Sequence, residues 1–399
     1  MEQAVSVANL RLTPPYGLDP TATSSPHQQI QRSVDSRAKR YARANPFLSI
    51  ASAVLVFSLT LLLVTSGATT IIEDAVRRVT DYGYLVLLLF VASVWMTTGV
   101  LLLPLQLTSS YFLEHAYGFS NQTIPAWIGE RVKGLMLSTV LVAPVLLFFY
   151  YALRTLGNLW WLPAATLLCV IQLLVMRIVP TFIFPLFYKF KSLEEGDLKQ
   201  AVRQTAVTVG VPIEGVYVVN LSKNTKKANA TFTGRGGSRR VILGDTLVAN
   251  LTDDEIFAVF AHELAHYKLK HMWVGFTVSV AATFLTLFLV AQLYVASIGW
   301  FGLTSPEQIA ALPVAALWLG VLSLVTTPFG NFISRAQEHA ADRWGVKMSG
   351  NKKAFANVLA KVARISIADP LPHPLVEFLF HRHPSLSKRI AFVQQLPGS

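Results

Sequence analysis

The chain has 399 residues, 53% of them hydrophobic and 14% charged, with a formal net charge of +12. A soluble domain is nearer a quarter charged, so this composition excludes an ordinary soluble protein and places the chain in a lipid bilayer. The basic residues are scattered among loops and form no nucleic-acid-binding motif, which makes nucleic acid an unexpected partner and gives the charge a topogenic meaning.

In chain order, residues 1–45 are rich in Ser, Thr, Pro, Gln and Arg, carry no apolar stripe, and are expected to form a disordered tail. Six apolar stretches follow, each long enough to cross a hydrocarbon core of ~30 Å as a helix of about 20 residues. They run over Pro46–Ile71, Tyr84–Leu105, Gly134–Leu153, Trp160–Phe187, Met272–Val295 and Ala311–Ile333. The first is too long, and preceded by too much polar chain, for a cleaved signal peptide. The first four make an N-terminal transmembrane region over 46–187, and the last two belong to a second region over 188–399.

Lysine and arginine near span ends favour the cytoplasm. Arg37, Lys39, Arg40 and Arg43, then Arg131 and Lys133, then the basic segment from Tyr188 to His271 fall on one side, predicted to be cytoplasmic. The loop from Ala296 to Ile309 has no Lys or Arg and falls on the other side. Arg77 and Arg78 run against this pattern, with Glu73, Asp74 and Asp81 beside them. The four sequons at Asn121, Asn220, Asn229 and Asn250 all lie in predicted cytoplasmic segments and read as chance matches; the single Cys169 lies in a span and allows no intrachain disulfide.

Beyond Phe187 the pattern changes. "KSLEEGDLKQAVRQTAVTVGV" predicts a surface helix ending near Gly210, and "GVYVVNLS" a short strand. "NATFTGRGGSRRVILGD" predicts two strands, Ala230–Thr233 and Arg240–Leu243, joined by a Gly-rich turn. Thr252 and Glu255 match a capping box, so a helix begins at Asp253. On it, His262 and His266 are four residues apart and share one face, the spacing for two ligands of one metal ion. Glu263, about 100° round the helix, reaches a water on that ion as a general base. A helix can also carry this pattern with solvated side chains, so a third ligand is needed. "SRAQEHAADRWG" supplies Glu338, which completes a two-histidine, one-carboxylate zinc site with a fourth position for water, and Asp342 one turn later, which accepts from the non-coordinating nitrogen of His262.

At these residues the chain resembles the type I CAAX prenyl endopeptidases, integral-membrane zinc proteases of the gluzincin kind. "FLEHAYGFSNQT" (112–123), "FPLFYKFKSLEEGDLK" (184–199), "NATF" (229–232), "VILGDTLV" (241–248), "HELAHYKLKH" (262–271) and "SRAQEHAAD" (334–342) look like that family's segments in the same order, over roughly residues 80–395. The resemblance implies an all-α polytopic membrane protein whose helices form a barrel around a chamber, with a cytoplasmic α+β zinc-metallopeptidase region carrying a small β-sheet. It implies one Zn2+ per chain, and a peptide or protein substrate that family members carry prenylated at the C-terminus. It implies that Asn229 and Ala230 belong to an edge strand that holds an extended substrate, and that His383 donates to the oxyanion. Arg335 is expected either to steady the Glu338 helix or to approach a substrate carboxylate.

Eukaryotic members have seven spans and six are read here, which leaves barrel closure open. The compact form suggests a bacterial cytoplasmic membrane with the metal site inside, where the substrate need not be prenylated. Oligomeric state is not legible. Two other readings stand beside the peptidase: a membrane-protein quality-control protease similar to heat-shock-associated zinc proteases, and a transporter or binding protein with a structural metal. The second usually needs four protein ligands, and three converge here.

Overall fold

The computed structural model describes residues 36–179, 182, 184–225, 230–233, 239–365, 369 and 371–397. Most of the expected N-terminal tail lies outside these residues. Its last part does not behave as a tail, because the first helix, α1, runs over Ser36–Thr65. The reason is an aromatic anchor that periodicity does not reveal. Tyr41 is buried, donates its hydroxyl to Glu114 Oε1 at 2.6 Å, and packs on the rings of Tyr117 and Phe119 at 4.9 and 5.0 Å.

α1 ends at Thr65, earlier than the apolar run suggests, because Gly67 adopts φ 71° and turns the chain. Ile71 therefore falls on a separate amphipathic helix, α2 (Ala68–Arg77). Then come α3 (Gly83–Leu107), prolonged to Ala116 through a π-turn over Thr108–Phe112, α4 (Ile124–Leu156) and α5 (Trp161–Ile178). Two further long helices, α8 (His271–Ser297) and α9 (Leu312–Ser349), bring the helices long and apolar enough to cross a membrane to six among the described residues. The principal neighbours of each follow one another round a closed ring, α1–α3–α4–α5–α8–α9 and back to α1. Six spans suffice to close it.

Packing along this ring is uneven. Buried side chains gather where α1, α4 and α8 end and α3, α5 and α9 begin: Val64, Leu87, Phe90, Leu153, Trp160, Ala165, Val290, Tyr294 and Val314. Two polar groups there are satisfied locally, Trp318 Nε1 donating to Ser297 Oγ at 2.9 Å and Tyr294 donating to the Pro306 carbonyl at 2.7 Å, whereas the buried Nε1 of Trp160 has no hydrogen-bond partner. α2 belongs to the same end. Its buried Glu73 accepts from the Ala310 amide at 2.7 Å, at the approach to α9, and from Arg77 Nη2 at 2.7 Å. At the opposite end the same helices expose Phe47, Trp95, Met136, Leu174, Trp273 and Phe329. Buried side chains thus concentrate at one end of the ring, which is the closely packed one.

The opposite end of the ring carries the remaining elements. β1 (Phe190–Ser192), β2 (Gly215–Val219), β3 (Ala230–Thr233) and β4 (Arg240–Gly244) form a mixed sheet of order β1-β2-β4-β3. β3 and β4 pair antiparallel with Ala230 opposite Leu243, as expected of a hairpin; its Gly-rich turn lies outside the described residues. The parallel pairing of β2 with β4 and the three-residue β1 are additions to the sequence reading. Helix α6 (Asp197–Thr208) closes with Gly210 at φ 73°, and Val202 and Ala206 pack with Val216, Val241 and Leu243 beneath α7 (Asp253–Lys268). Helices α10 (Lys352–Ile365), α11 (Pro374–Phe380) and α12 (Leu386–Gln395) complete the chain.

α7 lies against α9 along much of its length. The closest approach is made by Gly345, where a Cβ would stand 3.2 Å from both the Cα and the N of His262 and 2.8 Å from the Phe355 ring. Only a residue without a side chain lets α9 come this near the backbone of the α7 histidine. Gly330 on the same helix is exposed and has nothing within 4 Å of its Cβ position. Gly345→Ala is therefore expected to lower both the melting temperature and metal retention in detergent, overpacking of this kind costing about 1–3 kcal/mol. Gly330→Ala is expected to leave both unchanged or to raise stability by up to about 1 kcal/mol through helix propensity. Equal behaviour of the two variants would contradict the close-approach argument.

Candidate metal centre

α7 starts where its sequence says it should: the Thr252 amide donates to Glu255 Oε2 at 2.9 Å, closing the capping box. Glu255 is buried and its charge is met by Lys361 Nζ at 2.7 Å. With the helix phase fixed at this end, His262 and His266 point the same way, their Nε2 atoms 3.2 Å apart. α9 brings Glu338 opposite them. Its Oε2 is 3.5 Å from His262 Nε2 and its Oε1 is 3.3 Å from His266 Nε2.

These separations decide what the cluster suits. Ligand atoms held ~2.0–2.1 Å from a tetrahedral zinc lie about 3.3 Å from one another. The 3.2 Å between the two Nε2 atoms matches that spacing, Glu338 faces the pair with Oε1 3.3 Å from His266 and Oε2 3.5 Å from His262, and one donor atom from each of the three residues lies within 4.8 Å of the other two. Glu338 is 3% exposed, and its Oε2 makes no hydrogen bond, Arg389 Nη1 at 3.3 Å being its ion-pair partner; a metal ion would give this buried oxygen a further one. Two imidazoles and one carboxylate are a donor set suited to zinc. The residues present therefore fit a metal ion.

Behind the ligands stands a second set of groups. Asp342 is fully buried, and its Oδ1 is 3.0 Å from His262 Nδ1. Arg389 of α12 holds the same carboxylate bidentately, Nε to Oδ2 at 2.8 Å and Nη2 to Oδ1 at 2.6 Å, and its Nη1 lies 3.3 Å from Glu338 Oε2. The sequence reading did not find Arg389, which is 47 positions from Asp342. It also gave His271, which lies beyond the His-Glu-x-x-His turn, no role but a structural one, whereas its Nδ1 lies 3.0 Å from Nδ1 of His266. Glu263 is half-buried on the neighbouring face, and burial pushes its carboxyl above the usual carboxylate range against the pull of His262 and His266. A raised carboxyl is a better proton acceptor near neutral pH than an exposed one.

His383 comes from the connection between α11 and α12. Its side chain is 65% exposed, and its Nδ1 is 3.0 Å from Glu338 Oε1, which brings the ring beside the ligand carboxylate. The turn that carries it is held by Glu377, which accepts from the Ser385 amide at 3.2 Å and from Lys388 Nζ at 2.7 Å. Arg335 serves the same segment. Its Nη1 donates to the carbonyls of Glu377 at 3.1 Å and His381 at 2.8 Å, and Asn331 Nδ2 donates to the Leu379 carbonyl at 2.8 Å. These bonds tie α9, the helix of Glu338, to the segment that carries His383.

Ala230 opens β3, an edge strand, and Asn229 lies outside the described residues. β3 sits over α7, with the rings of Phe232 and Tyr267 4.9 Å apart. The chain leading toward β3 is clamped on two sides. Asp245 accepts from both the amide and the hydroxyl of Ser222, the former at 2.9 Å, and Asn121 Nδ2 donates to the Ser222 carbonyl at 2.9 Å. The last bond joins the loop between α3 and α4 to the sheet.

Comparison with known proteins gives consistent results. The profile of peptidase family M48 matches residues 192–396, and that described as CAAX prenyl protease N-terminal, five membrane helices, matches residues 21–189. An uncharacterized metalloprotease of Bacillus subtilis, YhfN, is 29% identical over 362 residues, covering 90% of this chain and 85% of that protein. CAAX prenyl protease 1 of Saccharomyces cerevisiae is 30% identical over 309 residues, covering 72% of this chain and 67% of the yeast protein. The crystal structure of S. mikatae Ste24p superposes with a TM-score of 0.79 at 28% identity, covering 89% of this chain and 88% of that one. The chain belongs to peptidase family M48, as a multi-pass membrane metalloendopeptidase similar to CAAX prenyl protease 1.

Proposed function

We propose that the chain is a zinc endopeptidase that hydrolyses a peptide bond near the C-terminus of a substrate, prenylated or not, at a site on the cytoplasmic side of the membrane. The observation that carries this reading is the convergence of His262, His266 and Glu338, one donor atom from each lying within 4.8 Å of the others, with Glu263 on the neighbouring helix face. Zinc held there supplies a Lewis acid and brings a water molecule to a pKa of about 7.

The chain's own residues do the rest. Glu263 takes the proton from the attacking water and passes it to the leaving amine, a role for which its burial-raised carboxyl is suited. His383, beside the ligand carboxylate, donates a hydrogen bond to the oxygen that becomes negative as the peptide carbon turns tetrahedral. Asn229 and Ala230 at the start of the edge strand hold the substrate backbone extended, so that its scissile bond reaches the histidines of α7. Asp342 accepts from His262 and fixes its ring, and Arg389 keeps Asp342 ionised and in place. Arg335 steadies the segment that presents His383.

The orientation rests on the Lys and Arg residues of the loops, with Arg77 and Arg78 as the two that run against the pattern. Similarity over 90% of the chain to a Bacillus subtilis protein supports a bacterial cytoplasmic membrane.

In detergent, Glu263→Gln is expected to keep its zinc and to lose about 10²–10⁴-fold or more in cleavage of a farnesylated C-terminal peptide, the usual worth of a positioned general base. An unprenylated twin of that peptide decides the substrate class. Glu263-dependent cleavage of the farnesylated peptide alone assigns prenyl-dependent processing, equal cleavage of both assigns general C-terminal proteolysis, and undiminished cleavage by Glu263→Gln refutes the mechanism.

The Asp342–Arg389 pair gives a second test. Asp342→Asn is expected to weaken zinc binding about 10–100-fold by chelator competition, as loss of a ligand's hydrogen-bond partner does elsewhere. Arg389→Leu leaves a fully buried carboxylate unpaired, which costs about 3–5 kcal/mol and should show as a marked drop in melting temperature.

A further inference from the structure

A third histidine stands beside the ligand pair, and the chemistry above makes no use of it. His271 is the first residue of α8 and is buried, 9% exposed. Its Nδ1 faces Nδ1 of His266 at 3.0 Å, with the two rings 4.9 Å apart and inclined at 75°. The backbone goes out of its way to bring them together. α7 ends at Lys268, and Lys270 then adopts φ 57° and ψ 30°, the only positive φ on a non-glycine residue among the described ones. A left-handed lysine is strained and persists only where surrounding structure imposes it. Here it ends one helix and starts the next within three residues, which folds His271 back beneath the last turn of α7. From α9, Gln337 Nε2 adds a 3.4 Å bond to the His271 carbonyl.

Two imidazole nitrogens at hydrogen-bond distance share one proton, so one donates and the other accepts. His266 turns Nε2 toward His262 Nε2 and Glu338, and a nitrogen that gives its lone pair to a metal carries no proton. The His266 proton is therefore on Nδ1. We propose that His271 is the positioning residue of His266: its unprotonated Nδ1 accepts the His266 Nδ1–H, fixing the tautomer and ring angle of that ligand as Asp342 does for His262.

This rests on the reading of His266 as a metal ligand. It gives the two ligand histidines unlike supports, one a carboxylate and the other a neutral ring. The neutral choice has a physical reason. Glu338, Asp342 and Glu263 already place three carboxyls around the site, with Arg389 the guanidinium in contact with two of them. A fourth carboxylate behind His266 would add repulsion where an uncharged acceptor does the same orienting work.

The test compares His271→Leu with His271→Asn in the full-length protein in detergent, reading zinc affinity by chelator competition and the d–d spectrum of the cobalt-substituted protein. Asparagine Oδ1 lies where histidine Nδ1 does and accepts a hydrogen bond; leucine fills the space and accepts none. His271→Leu should bind zinc about 10–100-fold more weakly. His271→Asn should keep wild-type affinity and spectrum. Wild-type affinity in the leucine variant overturns the proposal, as does a loss in the asparagine variant equal to that in leucine. Should the leucine variant not fold, asparagine alone decides: affinity and spectrum retained uphold the hydrogen bond, a tenfold loss refutes it. His266→Ala, run alongside, separates the two levels: if it retains zinc, the ligand assignment itself fails, whereas loss of zinc there with an unaffected His271→Leu removes only the role of His271.

Discussion

A helix that carries two metal ligands can complete a site only if a second helix comes close enough to offer the third, and here that approach is set by the contact of Gly345 with the backbone of His262. Small residues line both partners. Ala261 and Ala265 on α7, and Ala341 on α9, are fully buried. With larger side chains the axes would separate, and Glu338 would no longer stand 3.3 and 3.5 Å from the two imidazoles. The hydrolytic chemistry therefore depends on a packing constraint before it depends on any charge. Phe355 of α10 braces the same spot from the third side, its ring against the Gly345 position and 6.2 Å from the His262 ring.

Once the helices are this close, electrostatics becomes the problem to solve. Glu338 and Asp342 lie one turn apart on α9 and are both almost wholly withdrawn from water. Two buried carboxylates repel each other and pay heavily for desolvation. Arg389 answers both at once, bidentate to Asp342 and 3.3 Å from Glu338. Its own burial is tolerable because these two acids face it, and their influence keeps it protonated despite the burial that opposes this. A metal ion opposite Arg389 would complete the neutralisation from the other side of Glu338. The C-terminal helix α12 is thus part of the site's charge balance, although it contributes no ligand.

The split between what the sequence disclosed and what it did not has a physical basis. Features carried by local spacing were legible: the six spans, the capping box at Thr252, the pairing of Ala230–Thr233 with residues from Arg240 onward, and the shared face of His262, His266, then of Glu338 and Asp342. Features that depend on two distant segments meeting were not. Arg389 lies 47 positions from Asp342 in a helix whose composition marks nothing, and β2 and β4 are joined in parallel across an intervening strand. Tyr41 is hidden in a polar stretch, and only its meeting with Glu114 explains why α1 starts ten residues before the apolar run. Gly67 and Lys270 show the same limit at the level of the backbone. Each breaks an apolar or helical run by its φ angle, which residue type suggested weakly for the glycine and not at all for the lysine. His271 could have been found only by asking what the second ligand's free nitrogen meets.

α9 joins these levels, because it runs from the closed end of the ring to the metal site and supplies Glu338 there. Its approach is tied down by Glu73, and Glu338 follows 26 residues after its first residue, Leu312. At ~1.5 Å per residue that places Glu338 about 39 Å along the helix. The hydrocarbon core is ~30 Å thick, and a tilt of about 20° shortens the span by only a few ångströms. Counted from a slab edge at Leu312, Glu338 would stand several ångströms beyond the apolar slab. Such a depth suits hydrolysis, which needs water and ionised carboxylates that the membrane interior disfavours. The same helix is anchored at its other end among Trp160, Tyr294 and their neighbours, so the packing that ties the spans together also sets how far the carboxylate is carried.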